Sequence, residues 1–268
     1  PKIIMSVSED SDGKLALASY DDGLHIYDPK SGKTEDKNEE LDAVTGNYNR
    51  RATCLERDKS GKLWMGTYGS GLFVIDGKRI KQHVSTSEEV DYSRNEPINN
   101  WINCIKRHGD DMWIGTYNGI SRYSMKSERY IDVDQKLREV ADGKVIFDID
   151  VDSLGNMWMA TASGIVRYNA LTKETDAKTI YDGLAANMSV GIKATEDGFV
   201  WVGTSGGLSC YNILSKTFSN YYSHDGIQGN QFSRAAVDMD REGRMYFGGT
   251  TGVTKFLPVD VKKEDTRP

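Results

Sequence analysis

Asp148, Asp150 and Asp152 alternate as D-x-D-x-D, a pattern that offers carboxylate oxygens to a hard cation such as calcium. The stretch lacks the Gly and the terminal Glu of an EF-hand loop, and Asp152 already belongs to a hairpin signal that recurs along the chain, so no metal is expected. Gly203-Thr204-Ser205-Gly206-Gly207 sets a serine among glycines, as a nucleophile elbow does. Sister segments carry the same turn and account for it without catalysis. His25, His83, His108 and His224 are the only histidines, and none pairs with another His or with Cys at metal-ligand spacing. Carboxylates are plentiful, but nothing in their spacing sets two of them the roughly 5–10 Å apart that glycoside hydrolysis needs. The residues therefore predict no catalytic constellation, no cofactor and no metal.

Binding chemistry is better represented. Tyr20, Tyr68 and Tyr117 stand among Asp21, Asp22, Ser70 and Asn118, and further polar or aromatic groups occur at Arg94, Asn99, Asn100, Trp101, Asn187, Asn230 and Gln231. Aromatic rings interleaved with amides and carboxylates suit a sugar, whose apolar faces stack on Tyr or Trp while its hydroxyls pair with polar groups. Taken singly, each of these residues is better accounted for by turn capping or packing between blades.

The elements that must position them are written six times. LWMGTYGSGLFVID (63–76) has counterparts starting at Leu15, Met112, Met157, Val200 and Met245. Aligned on Ala18, Gly66, Gly115, Ala160, Gly203 and Gly248, successive copies lie 48, 49, 45, 43 and 45 residues apart, the period of a four-stranded propeller blade. Leu63 and Met65 and their counterparts are apolar, while Ala16, Trp64, Trp113, Trp158, Trp201 and Tyr246 between them point to the opposite face. A strand apolar on both faces is buried on both. Upstream lies an inner strand with Val7, Leu55, Ile105, Ile149, Ile192 and Val237 in one column, joined to the Trp strand by an Asp-x-x-Gly turn in four copies: Asp10–Gly13, Asp58–Gly61, Asp152–Gly155 and Asp240–Gly243. The fold predicted is an all-β propeller of six four-stranded blades, forming one domain over 1–268 with repeats near 1–38, 50–84, 101–132, 144–180, 188–222 and 231–260. No clear fourth strand follows Phe256. In that topology the second-to-third-strand turns and the blade-to-blade connections share one rim. Tyr20, Asp22, Tyr68, Ser70, Arg94, Asn100, Trp101, Tyr117, Asn118, Asn187 and Asn230 are placed there as candidates for binding a ligand or another domain. The later copies carry Ala162, Ser205 and Thr250 in place of the tyrosines, which predicts an asymmetric surface.

Between copies, Asn38–Arg51 reads as a polar connection, Ser85–Asn100 as the longest one, and Val133–Gly143 as holding a short helix. The links YDGLAANMS (from Tyr181) and SHDGIQGNQFS (from Ser223) resemble one another. The 268 residues carry 34 Lys and Arg against 40 Asp and Glu, a net charge of −6, with only short basic clusters such as Arg50-Arg51 and Lys78-Arg79. Nucleic acid is not an expected partner. Cys54, Cys104 and Cys210 fall inside predicted strands without CxxC spacing and read as buried free thiols, although Cys54 and Cys104 occupy equivalent positions where a disulfide is conceivable. No run reaches the roughly 20 apolar residues of a spanning helix. Pro1 opens without a signal segment, and the chain is expected to be soluble and cut from a longer parent.

The pattern D-x-x-G-x-hydrophobic-W-hydrophobic-G-T-x-x-G-hydrophobic resembles the two-component regulator propeller repeat of the sensor regions of hybrid two-component systems in Gram-negative gut bacteria. The likeness covers essentially the whole chain. Its last segment, DGIQGNQFSRAAVDMDREGRMYFGGTTGVTKFLP, looks like the closing repeat that precedes a small β-sandwich domain and a transmembrane segment. The resemblance implies a non-catalytic periplasmic sensor for oligosaccharides from complex glycans, in a parent anchored in the inner membrane. It also implies a neighbouring propeller and β-sandwich domain, a homodimeric parent, and control of a cytoplasmic histidine kinase fused to a response regulator. Such propellers typically have seven blades against the six copies here. The alternatives that stay open are a polysaccharide-active propeller enzyme and a protein-interaction scaffold.

Overall fold

The computed structural model describes residues 3–46, 50–87 and 89–261. Residues 47–49 of the first connection, Glu88 of the longest one and the charged tail after Val261 lie outside the described residues. The chain is a β-propeller of six antiparallel sheets, each following the chain in order from its inner to its outer strand. Blade 1 is β1 (Ile4–Glu9), β2 (Leu15–Ser19), β3 (Gly23–Asp28) and β4 (Lys33–Asp36). Blade 2 is β5 (Ala52–Arg57), β6 (Leu63–Thr67), β7 (Leu72–Asp76) and β8 (Arg79–His83). Blade 3 is β9 (Ile102–His108), β10 (Asp111–Thr116), β11 (Gly119–Ser124) and β12 (Arg129–Ile131). Blades 4 and 5 are β13 (Ile146–Val151) to β16 (Thr175–Lys178) and β17 (Ser189–Ala194) to β20 (Thr217–Tyr221). Blade 6 has three strands among the described residues, β21 (Phe232–Met239), β22 (Met245–Gly249) and β23 (Gly252–Phe256), followed by a short helix, Pro258–Val261. By contacts the chain falls into two compact units, one ending at Ile146 and one starting at Phe147.

Within each unit the sheets pack as the two apolar columns require. Ala16, Ala18 and Leu24 of blade 1 form one core with Leu55, Leu63, Met65 and Phe73 of blade 2. The other face of blade 2, through Trp64 and Leu72, packs on Ile105, Met112, Ile114 and Tyr123 of blade 3. In the second unit Trp158, Ala160 and Ile165 meet Ile192, Val200, Val202 and Tyr211. The small-residue column follows from this closeness. A Cβ at Gly66 would lie 2.5 Å from Cys54 Sγ and 2.6 Å from Ile102 Cγ2, both fixed in neighbouring inner strands. The three cysteines are buried, and among the described residues none is in a disulfide.

The Asp-x-x-Gly turns do more than reverse the chain. Asp58 Oδ1 accepts from the amides of Ser60 and Lys62 at 2.8 and 3.1 Å, and its Oδ2 accepts from Trp64 Nε1 at 3.1 Å. Asp152 repeats the arrangement with Leu154, Asn156 and Trp158 Nε1, the last at 2.8 Å, and Asp240 with Glu242, Arg244 and Tyr246 Oη at 2.9 Å. One carboxylate thus closes the hairpin and satisfies the buried polar atom six residues on. Copy five has Thr195 at this position, and Trp201 Nε1 is buried with no partner among the described residues. Asp148 and Asp150 accept from the amides of Ile192 and Ala194 at 2.9 and 3.0 Å, tying blade 4 to blade 5, so the D-x-D-x-D stretch is used structurally.

The first connection, read from the sequence only as polar, contains a helix, α1 (Asn38–Thr45). Two buried residues fix it: Leu41 fills the blade 1–2 core, and Asn38 accepts from Leu24 N at 3.2 Å and donates to Asp22 O at 2.8 Å. The helix expected in Val133–Gly143 is α2 (Gln135–Ala141), N-capped by Asp134.

Two stability effects follow. Thr195→Asp supplies the acceptor that Trp201 Nε1 lacks and is expected to raise stability by about 1 kcal/mol in urea denaturation, whereas Asp152→Ala is expected to cost about 3 kcal/mol or more. Burial, with Lys81 adding repulsion, lowers the pKa of His83 to about 4. The unfolded chain then takes up a proton that the folded chain refuses, so stability is full above about pH 6.5 and falls by up to about 3 kcal/mol as pH drops toward 4. His83→Phe is expected to remove that share of the acid sensitivity, read by thermal melts between pH 4 and 7.

Candidate functional site

The turn after the Trp strand is closed by one side chain in four copies. Thr67, Thr116, Thr161 and Thr204 Oγ1 donate to the carbonyls of Gly71, Gly119, Gly164 and Gly207 at 2.7–2.9 Å and accept a turn amide at 3.0–3.1 Å. The next residue is left free to vary, and it is Tyr68, Tyr117, Ala162 or Ser205. Blade 1 uses Ser19, whose Oγ donates to Asp21 Oδ1 at 2.5 Å ahead of Tyr20.

In the first unit these tyrosines form one continuous strip. Tyr20 and Tyr68 have ring centroids 6.2 Å apart, Tyr68 stacks on Trp101 at 4.7 Å and 17°, and Trp101 meets Tyr117 edge-on at 5.0 Å. The spacing is set by the backbone, because the amides of Tyr20, Tyr68 and Tyr117 each donate at 2.9 Å to a carbonyl near the start of an inner strand, those of Ile3, Arg51 and Trp101. Trp101 and Tyr117 remain 39% and 42% exposed, so the strip presents aromatic surface to solvent while its inner faces pack on one another. The guanidinium of Arg51 lies over Tyr20 at 5.4 Å and extends the strip. In the sequence Arg51 shows only as half of a short basic pair; its placement needs the register of β5.

The remaining candidates divide by role. Asp22 is half-buried, its carbonyl 2.9 Å and its carboxylate 3.2 Å from His25 Nε2. Ser70 donates its amide to Thr67 and accepts from Gln82 Nε2 at 2.8 Å, and Asn118 donates its amide to Thr116. Arg94 is exposed and bound within its own connection, to Asp91, Thr86 and Glu96 at 3.1, 2.8 and 3.1 Å. Asn100 latches the base of that connection: its side chain accepts from Ser85 N at 2.7 Å and donates to Ser85 O at 2.9 Å, and its carbonyl accepts from Gly69 and Gly71 at 3.1 Å. In the second unit Asn187 accepts from Ile180 N at 2.9 Å and Asn230 from Ser223 N at 2.7 Å, each across a 3₁₀ turn whose Asp182 or Asp225 caps its own start. The likeness of the two links is thus a shared loop-closing device. The structure brings Tyr20, Tyr68, Trp101 and Tyr117 together and gives the three asparagines fold-closing bonds. Among the described residues no cluster of His, Cys, Asp and Glu has the geometry of a metal site, and no helix is long and apolar enough to cross a membrane.

Residues 46–69, which include Tyr68, match the family described as the two component regulator propeller. No curated protein matches the sequence. Over 98% of its length the chain is similar in fold to the extracellular domain of a putative hybrid two component system from B. thetaiotaomicron, at 22% identity and a TM-score of 0.61. A second such domain from that organism is similar over 96% of the chain, at 14% identity and a TM-score of 0.56. The chain spans 40% of each of these relatives. It is also similar to virginiamycin B lyase from Staphylococcus aureus, over 97% of this chain and 85% of that one, at 12% identity and a TM-score of 0.67.

The latch geometry makes a prediction that separates folding from binding. Asn100→Ala leaves Ser85 unsatisfied and is expected to cost about 1–2 kcal/mol and to speed amide exchange through residues 85–100. Asn187→Ala and Asn230→Ala should do the same in their own links. Altered ligand affinity with unchanged stability and exchange would instead make these residues contacts.

Proposed function

We propose that this chain is a non-catalytic ligand-sensing propeller of a hybrid two-component system. On this reading it lies in the periplasm, as part of a parent anchored in the inner membrane. The reading rests on one observation above the rest: three consecutive blades put Tyr at the turn position after the Ser or Thr that closes the turn, and Trp101 joins the rings into a solvent-facing strip. The family match over residues 46–69 supports the setting. A strip of this kind suits a glycan-derived oligosaccharide, with sugar rings against aromatic surface and hydroxyls paired to the polar groups around it. Binding is relayed, on this proposal, through the neighbouring propeller and β-sandwich domains of a dimeric parent to its histidine kinase. The same strip serves equally as a docking surface for the neighbouring domain, so ligand and interface share these residues.

A panel of glycan oligosaccharides, followed by thermal shift and by product release, tests the proposal. Stabilisation without turnover supports a sensor. Turnover means a polysaccharide-active enzyme, and neither result leaves an interaction scaffold. Tyr68→Ala, Tyr117→Ala and Trp101→Ala are each expected to weaken binding by about 1–3 kcal/mol, roughly 5- to 150-fold. Unchanged affinity and unchanged association of the parent in all three variants would remove the strip from the binding surface.

A further inference from the structure

Blades 2 and 3 leave a cleft of about 250 Å³ within the first unit. Its lining includes Asp58 and Lys62 of one hairpin and Asp76 and Arg79 of another, which places it toward the rim opposite the aromatic strip. Trp64, His83 and Tyr123 form aromatic walls, with the Trp64 and Tyr123 rings edge-to-face at 5.1 Å and His83 and Tyr123 at 5.4 Å. Val74, Ile80 and Met125 complete the apolar lining.

The imidazole is not something the blade repeat demands. His83 pairs across the sheet with Leu72, and the corresponding residue of blade 5, opposite Leu208, is Tyr221. Tyr221 packs on Trp201 and donates to Val261 O at 3.3 Å. His83 has no such outlet. Its Nε2 is buried and has no hydrogen-bond partner among the described residues, and neither has the hydroxyl of Tyr130, whose ring lies 5.7 Å from the imidazole. An unsatisfied buried polar atom costs about 1–3 kcal/mol, and such atoms are rare unless something else satisfies them.

The charge around the cleft is unevenly placed. Strand alternation puts Arg79, Lys81 and His83 on one face of β8. The Asp58 carboxylate is taken up by its hairpin and Trp64, and Asp76 lies 3.9 Å from Lys62. Among the described residues Arg79 and Lys81 have no carboxylate partner. Asp58 and Glu128 are the lining carboxylates without a cation, so the lining is neutral as a whole, but its two unpartnered cations stand together on one face of β8.

We propose that this cleft binds a small hydroxylated aromatic carboxylate, with its ring against the aromatic wall of Trp64 and Tyr123, its hydroxyl on His83 Nε2 and its carboxylate toward Arg79 and Lys81. An apolar cavity of about 150 Å³ holds benzene, so this cleft has room for one ring with two polar substituents. Apolar walls with a few polar groups that fix orientation are the usual make-up of a small-molecule site. The site is independent of the oligosaccharide reading and shares no residue with the strip.

Calorimetric titration of the protein with 4-hydroxybenzoate, benzoate and 4-hydroxybenzyl alcohol tests it. 4-Hydroxybenzoate is expected to bind tightest, with loss of either substituent costing about tenfold in affinity. His83→Phe should cancel the advantage of the hydroxyl and leave benzoate unaffected. The double variant Arg79→Gln/Lys81→Gln, both exposed on an edge strand, should cancel the advantage of the carboxylate and decides the matter if His83→Phe does not fold. Tyr117→Ala should change nothing. The proposal is overturned by the absence of saturable 4-hydroxybenzoate binding up to about 10 mM, or by equal affinity in wild type and both cleft variants.

Discussion

A sheet that is apolar on both faces cannot stand alone, and this condition governs the whole chain. Burying the Trp column against the next sheet puts an indole N–H where water cannot reach it, so the packing needs an acceptor inside the repeat. The Asp that opens the preceding hairpin provides it in blades 2 and 4, while its other oxygen closes the turn. Hairpin and packing face are therefore one unit, which is why the two signals travel together along the sequence. The small column at Gly66 and Gly115 answers the same demand from the other side, since any Cβ there strikes the cysteine of the adjacent inner strand.

Because the sheets are held by their faces, the turns at their ends are released from packing. The threonines after the small column spend their hydroxyls on the turn itself, and the following residue can be Tyr in one half of the chain and Ala or Ser in the other. The aromatic strip occupies that free position. Its rings are held in part by one another, and its spacing is inherited from backbone bonds between the turns and the inner strands. A rigid scaffold with variable turns is how repeat folds commonly carry recognition.

The fold was almost fully legible from the six copies, since period, alternation and hairpin residues all point to the same strands: the inner strand expected around Val7 is β1, Ile4–Glu9. Helix α1 was not, because its anchors, Leu41 and Asn38, act through tertiary contacts to blade 1. The acidic first turn and Gly46 were nonetheless local helix signals that could have been used. The clustering of Tyr20, Tyr68, Tyr117 and Trp101 could be read from the column they share and the connection leading to Trp101. What could not be read was which polar neighbours are already engaged. Asn100, Asn187 and Asn230 look like ligand contacts in a sequence, yet each closes a loop, a role visible only once Ser85, Ile180 and Ser223 are seen opposite them. The burial of His83 Nε2 was equally hidden, because it takes three dimensions to show that no donor or acceptor among the described residues reaches it.

The central claim is that recognition sits on the turns of the first unit while the sheets act as scaffold. Amide hydrogen exchange, measured with and without an oligosaccharide that stabilises the protein, tests it most directly. Added protection is expected at residues 19–23, 67–71, 99–101 and 116–119, with the central strands unchanged. Protection confined to the opposite hairpins, or spread evenly over all six blades, would contradict it.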